Sequence, residues 1–323
     1  MMPDAAALAS KLGAGDRQSL ARAITLVESS RPADRAAAFE LLASLGVPAE
    51  PALRLAVTGA PGAGKSTLID ALGACWLALG RRVAVLAVDP TSPRSAGSVL
   101  GDKTRMVRLG QSEHAFIRPS PSAGAAGGTH PRTGEAVSLC EAAGFDRVIV
   151  ETVGVGQIES EVADLVDLLL LVVLPNAGDD VQAAKRGVLD VCDLLVVSRA
   201  DSQVAEVERT RGTYADAFAR LNGRGPGVHA VSALRGDGVE ALAREIESRW
   251  ATLKASERLE SRRRDQLRMR FRRALGARFE AWLNDDAALR RECRRLEGLV
   301  ERGERLPQAA AEELVAGLRY GSN

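Results

Sequence analysis

Residues 53–67 read Leu-Arg-Leu-Ala-Val-Thr-Gly-Ala-Pro-Gly-Ala-Gly-Lys-Ser-Thr, "LRLAVTGAPGAGKST". An aliphatic run suited to a strand leads into Gly59, Ala60, Pro61, Gly62, Ala63, Gly64, Lys65, Ser66 and Thr67, which satisfy GxxxxGK[ST] in full. The helical stretch "STLIDALGACWLALG" follows directly. Glycines let backbone N–H groups turn inward on phosphate oxygens. The helix that opens there presents its N-terminus to the anion. Lys65 is placed to reach the β- and γ-phosphates, and the Ser66 hydroxyl to ligate Mg²⁺. A bare glycine-rich turn explains the glycines but not the lysine, the serine and the strand–loop–helix frame together. The expectation is a nucleoside triphosphate bound with Mg²⁺.

Working outward, short apolar runs alternate with helical stretches from residue 51 to 253: "LRLAVTG", "RVAVLAVD", "RVIVET", "LLLLVVL", "LLVVS" and "VHAVS". They are continuous rather than alternating, which implies strands covered on both faces. The fold class expected is α/β, a mostly parallel sheet wrapped by helices around the phosphate loop. Residues 1–50 read as two or three short amphipathic helices and residues 254–323 as a helical arm. The stretch "RPSPSAGAAGGTHPRTG" reads as a long loop, too extended to be an idle turn.

Ligands of such sheets bind at the carboxyl ends of the strands, and a hard octahedral cation wants oxygen donors there. Asp89 ends "VAVLAVD", Glu151 ends "RVIVE", and Asp102 lies in "LGDKTRM", a segment able to fold back on the site. Each also has an ordinary reading as a cap or turn carboxylate. Gly154 follows Glu151 in an ExxG arrangement and can offer its N–H to a γ-phosphate. Gln157 is a candidate to position attacking water, with a plain polar loop residue as the alternative.

The base is read further along. "LLVVSRAD" ends in Ser198, Arg199, Ala200 and Asp201, where Asn and Lys in place of Ser198 and Arg199 would complete the guanine-reading NKxD signature. A carboxylate at Asp201 can accept from guanine N1–H and its 2-amino group, and adenine offers neither donor. Arg199 can stack its planar guanidinium on the base, as lysine lays its stem there. Ser198 is shorter than asparagine, so one hydrogen bond is lost or bridged by water. The next strand ends in Ser232-Ala233-Leu234, the position of an SA[KL] loop over guanine. The two elements together point to GTP and GDP above ATP and ADP.

Composition bounds the rest. The chain has 323 residues with 43 Lys and Arg against 42 Asp and Glu, so a net charge of +1 steers neither nucleic acid nor a membrane surface to it. Aromatics are 3%, too few for a base-stacking platform. The four cysteines form no CxxC, which suits reduced thiols in a cytoplasmic protein. No uncharged apolar run reaches the roughly 18 residues of a membrane span. In "SRRRDQLRMRFRRAL" and beyond, Leu267, Phe271, Leu275, Phe279 and Trp282 recur at helical spacing among returning acids. That is an apolar stripe for helix–helix contact, most simply between subunits, rather than a nucleic-acid surface.

The blocks "GAPGAGKSTLIDALG", "VAVLAVDPTSPRSAGSVLGDKTRM", "AFIRPSPSAGAAGGTHPRT", "ETVGVGQIESEVADLVD" and "LPNAGDDVQAAKRGVLDVCD" resemble the MeaB/ArgK/MMAA family over residues 50–250. These are G-protein chaperones of adenosylcobalamin-dependent acyl-CoA mutases. The resemblance implies a SIMIBI-type P-loop GTPase domain with N-terminal helices and a C-terminal dimerisation arm. It implies GTP/GDP and Mg²⁺ as cofactors, a homodimer, slow hydrolysis accelerated by the mutase, and control of cofactor loading and mutase rescue. It implies that Ser66, Asp89, Asp102 and Glu151 surround Mg²⁺. It also implies that residues 175–187 form a third switch, in which Lys185 approaches the nucleotide and Asp179, Asp180 and Gln182 carry the coupling. Read without the family, Asp179 and Asp180 suit the first turn of a helix. The family pattern is NKAD where this chain has SRAD.

Three other readings stand beside this one. A small-molecule P-loop kinase needs an acceptor pocket and usually adenine selectivity. A nickel-insertion GTPase needs a soft or imidazole ligand cluster, and none is evident in the sequence. A scaffold binds nucleotide without turning it over.

Overall fold

The computed structural model describes residues 5–46, 48, 50–89, 106–121, 132–152, 162–175, 186–202, 204–222 and 227–320. Three helices come first: α1 (Ala5–Gly13), α2 (Arg17–Glu28) and α3 (Pro32–Ser44). Asp16 caps α2 by accepting from Ser19 N–H at 2.8 Å, and Pro32 opens α3, where its missing donor is harmless.

The sheet then builds from β1 (Leu53–Gly59), β2 (Val83–Asp89), β3 (Ala115–Pro121), β4 (Arg147–Glu151), β5 (Leu168–Val173), β6 (Leu194–Val197) and β7 (Val228–Ala230). Its order is β3-β2-β4-β1-β5-β6-β7, with every pairing parallel. Every residue of β4, β5 and β6 is buried, which is why their sequences run apolar without alternation. One face is covered by α1–α3, α6 (Thr133–Ala142), α7 (Arg186–Val191) and α8 (Val204–Asn222). The other is covered by α4 (Lys65–Ala78), α5 (Val107–Gly110) and α9 (Val239–Lys254), with Trp76 and Trp250 buried there.

One expectation is corrected at the sheet edge. The stretch beginning "RPSPS" reads as loop, yet Arg118–Pro121 complete β3, a seventh strand. Among the described residues β3 pairs with β2 alone, so Pro119 and Pro121, which carry no N–H, leave no ladder donor missing on its open side.

By internal contacts the chain divides into two units, Met1–Arg263 and Arg264–Asn323. The boundary falls within α10 (Arg258–Asp285); α11 (Ala287–Glu301) and α12 (Pro307–Tyr320) follow. In the second unit Asp286 caps α11, and Arg295 pairs with Glu313 of α12 at 2.6 Å. Among the described residues no helix is long and apolar enough to cross a membrane.

At the amino-terminal edge of the sheet, Asp167 is fully buried just before β5. It accepts from Arg263 Nη2 and Nε at 2.6 and 2.9 Å and from Arg54 N–H at 3.0 Å. Arg263 also donates to the Ala52 carbonyl and lies over the Trp250 ring. Removing one partner of such a pair strands the other charge out of water. Arg263→Ala should therefore lower unfolding stability by about 3 kcal/mol, read by thermal or urea melts. A change within experimental scatter would show that the pair contributes nothing.

Candidate nucleotide-binding site

β1 lies between β4 and β5 and is followed by the phosphate loop, so the loop opens at the point where strand order reverses. Gly59 ends β1 at φ 146°, and a Cβ there would sit 2.1 Å from the Val172 carbonyl oxygen of β5. No larger residue fits that approach. Gly62 and Gly64 are left-handed, at φ 78° and 90°. Ala63 is buried, and its N–H closes an inner turn on the Ala60 carbonyl at 3.1 Å.

Lys65 begins α4 and is buried. Its ammonium donates back to the carbonyls of Gly59 at 2.7 Å and Ala60 at 3.1 Å. Burial pushes its pKa below the usual lysine value, opposed by the Glu151 carboxylate. Next along, the Ser66 hydroxyl donates to Glu151 Oε1 at 2.8 Å. Glu151 ends β4, and Thr152 N–H ties the strand exit to the Val57 carbonyl at 3.0 Å. A hydroxyl and a carboxylate thus converge beside the amine at the mouth of the loop. These are the hard oxygen donors that Mg²⁺ takes.

The backbone of Asp89 ends β2, in register with Pro121. Its side chain, and the whole of Asp102, Gly154, Gln157, Asp179, Asp180, Gln182 and Lys185, lie outside the described residues. Among the described residues no three His, Cys, Asp or Glu side chains gather as a metal cage.

The second cluster follows β6 and β7. Ser198 is buried, and its N–H and hydroxyl both donate to the Val173 carbonyl at the end of β5, at 2.9 and 3.0 Å. Arg199 is the one described non-glycine residue with positive φ, 57°. Its Nη2 donates to the Gly62 carbonyl in the phosphate loop at 2.9 Å. The side chains of Ser198 and Arg199 thus each donate to a neighbouring carbonyl, Val173 and Gly62. Asp201 receives a hydrogen bond from the Ser232 hydroxyl, which holds its carboxyl below the usual range, with Arg235 and Arg199 as further cations. The Arg235 guanidinium lies 3.9 Å from that carboxylate.

Ser232 is buried and Leu234 is 78% exposed. The turn between them and α9 is closed by Ser232 N–H on the Asp237 carbonyl at 2.9 Å. Gly238 is left-handed there, with no room for a Cβ against Ala230. Sequence reasoning missed Arg235 and the Val173 carbonyl. Arg235 sits inside "SALRGDG", where a charged turn residue carries no signal of its own; a backbone acceptor has no sequence signal at all.

The family model described as "Methylmalonyl Co-A mutase-associated GTPase MeaB" matches residues 20–282. GTPase ArgK of Escherichia coli is 44% identical over 261 residues, 79% of this chain and 79% of that protein. A mitochondrial methylmalonic aciduria type A homolog of Caenorhabditis briggsae is 41% identical over 282 residues, 82% of this chain and 68% of that one. The crystal structure of an LAO/AO transport system kinase aligns at TM-score 0.79 and 33% identity over 99% of both chains. A parallel sheet with its phosphate loop at the switch point, on a chain with these relatives, defines a P-loop GTPase. The chain belongs to the MeaB family of GTPases.

Proposed function

We propose that this chain binds GTP with Mg²⁺, hydrolyses it to GDP and phosphate, and acts as a chaperone for an adenosylcobalamin-dependent acyl-CoA mutase, gating cofactor loading and rescue. The observation that carries the reading is the joint placement of two clusters at one sheet edge. Lys65, Ser66 and Glu151 meet at the phosphate loop, and Asp201, held by Ser232 beyond β6 and β7, offers a carboxylate able to accept from guanine's two donors. The family description, a mutase-associated GTPase, supports the choice of client.

In this reading the inward amides of residues 59–67 and the Lys65 ammonium hold the β- and γ-phosphates. Ser66 and Glu151, with Asp89 and Asp102, would hold Mg²⁺, which when bound neutralises charge on the phosphate oxygens. Gly154 touches the γ-phosphate and Gln157 orients water. Asp179, Asp180, Gln182 and Lys185 answer to the client. A nucleotide changes a partner only if the two nucleotide states bind it differently, and a coupling of about 1–3 kcal/mol alters affinity roughly 5- to 150-fold. The exposed Leu267, Phe271, Leu275, Phe279 and Trp282 of α10 are assigned to a homodimer contact.

The test is phosphate release from GTP with no acceptor present, with and without the mutase. Turnover without acceptor separates this reading from the kinase for which one solved relative is named. Lys185→Ala is expected to keep basal hydrolysis and lose the mutase-stimulated increment. Equal stimulated rates in the two proteins would sink the switch assignment.

A further inference from the structure

α4 opens on the phosphate loop, and one face of it makes two attachments. Ser66 stands in its first turn with its hydroxyl on Glu151. Asp70 follows four residues later on the same face and is buried. Its Oδ1 accepts from the Leu109 N–H of α5 at 2.9 Å. Gly73, three residues further, receives the Leu109 side chain so closely that a Cβ there would sit 2.6 Å from it. α5 needs an acceptor from outside. Met106 precedes its first turn and supplies no side-chain cap, so the third N–H of the helix depends on Asp70. Met106 and Leu109 are both buried, so water is no substitute there. Packing alone would seat these aliphatic side chains. The carboxylate adds a direction, because a hydrogen bond weakens steeply when it bends.

α5 also closes a longer connection. β2 ends at Asp89, α5 begins at Val107, and the sequence between them contains Asp102. Two of the carboxylates assigned to Mg²⁺ above therefore belong to one connection, fixed at its start by the β2 ladder and at its end by Asp70. We propose that Asp70 is a positioning residue for the metal: it ties α5, and through it the chain that carries Asp102, to the helix turn that carries Ser66. This inference rests on the reading of Ser66, Asp89 and Asp102 as Mg²⁺ ligands. Asp70 acts through α5, by the hydrogen bond its Oδ1 accepts.

The test is a Mg²⁺ titration of the release rate of a fluorescent, non-hydrolysable GTP analogue, for wild type, Asp70→Ala, Asp70→Asn and Gly73→Ala. Each protein is its own reference, through its rates in excess EDTA and in saturating Mg²⁺. Asp70→Ala is expected to raise the half-maximal Mg²⁺ concentration about tenfold, as loss of a group that orients a metal ligand does, and to leave the EDTA rate unchanged. Asp70→Asn keeps an acceptor for the Leu109 N–H and should return the half-point close to wild type. Gly73→Ala presses on Leu109 with Asp70 intact and should raise the half-point in the same direction. It carries the test if Asp70→Ala does not fold. A merely structural defect would speed release with and without Mg²⁺ alike and leave the half-point in place. That result would overturn the inference, as would an Asp70→Asn protein as defective as Asp70→Ala. Wild type that releases the analogue equally fast in Mg²⁺ and in EDTA would overturn the metal reading itself, and the inference with it.

Discussion

Lys65→Ala is expected to abolish nucleotide-dependent stabilisation while leaving the nucleotide-free protein folded. Among the described residues, the Lys65 ammonium is buried and met by two loop carbonyls and the nearby Glu151 charge. Its depressed pKa records that burial disfavours the charged form. The sign follows: the unfolded chain binds the proton more tightly, so the burden is present in full at neutral pH. It is relieved as pH rises from the lowered folded value toward the ordinary lysine value of 10.5. Free wild type should gain stability against Lys65→Ala across that alkaline window. GDP at a hundredfold excess over its Kd adds about 2.7 kcal/mol to wild type, a melting shift of about 5–10 °C. The variant should show no shift. A shift of wild-type size in Lys65→Ala would remove the amine from the phosphate site.

Asp201→Asn is expected to exchange the preferred base rather than weaken the whole site. An ionised carboxylate can accept from two guanine donors; an asparagine amide offers one acceptor and one donor. Guanine then meets an N–H where it needs an acceptor, and GDP affinity should fall by about 10³- to 10⁴-fold. Xanthine carries a carbonyl at that position, so xanthosine diphosphate should bind the variant better than GDP does. Because the Ser232 hydroxyl holds Asp201 below the usual carboxylate range, wild-type GDP affinity should stay flat as pH falls toward that range. The exchange is read by calorimetry with the two diphosphates. Unchanged GDP affinity in Asp201→Asn would place the base elsewhere.

The parallel sheet was legible because its strands are buried on both faces, and burial on both faces leaves a run such as "LLLLVV" no polar alternation. The ends of β1, β2, β4 and β6 were legible for the same reason: Gly59, Asp89, Glu151 and Ser198 stand where an apolar run stops. β3 was not legible, because Pro119 and Pro121 argue against a strand unless it is known to lie at an edge, and edge position is decided by other strands. In the site, residue types announced the lysine, the serine and the carboxylates. They could not announce that Arg199 and Ser198 spend their donors on the carbonyls of Gly62 and Val173, because every residue has a carbonyl. The left-handed turn that aims Arg199 arises from hydrogen bonds to β5 and to Val231 beyond β7, tertiary neighbours that no local window contains.

The buried Asp167 sets a lower limit on how far the protein can be trimmed. A chain cut back to the last residue of α9 would retain all seven strands and both layers of covering helix. It would also leave an acid of zero exposure with a single backbone donor in place of a guanidinium fork. Arg263 therefore belongs to the globule it follows, and any shortened version meant for crystals or assays should end beyond it.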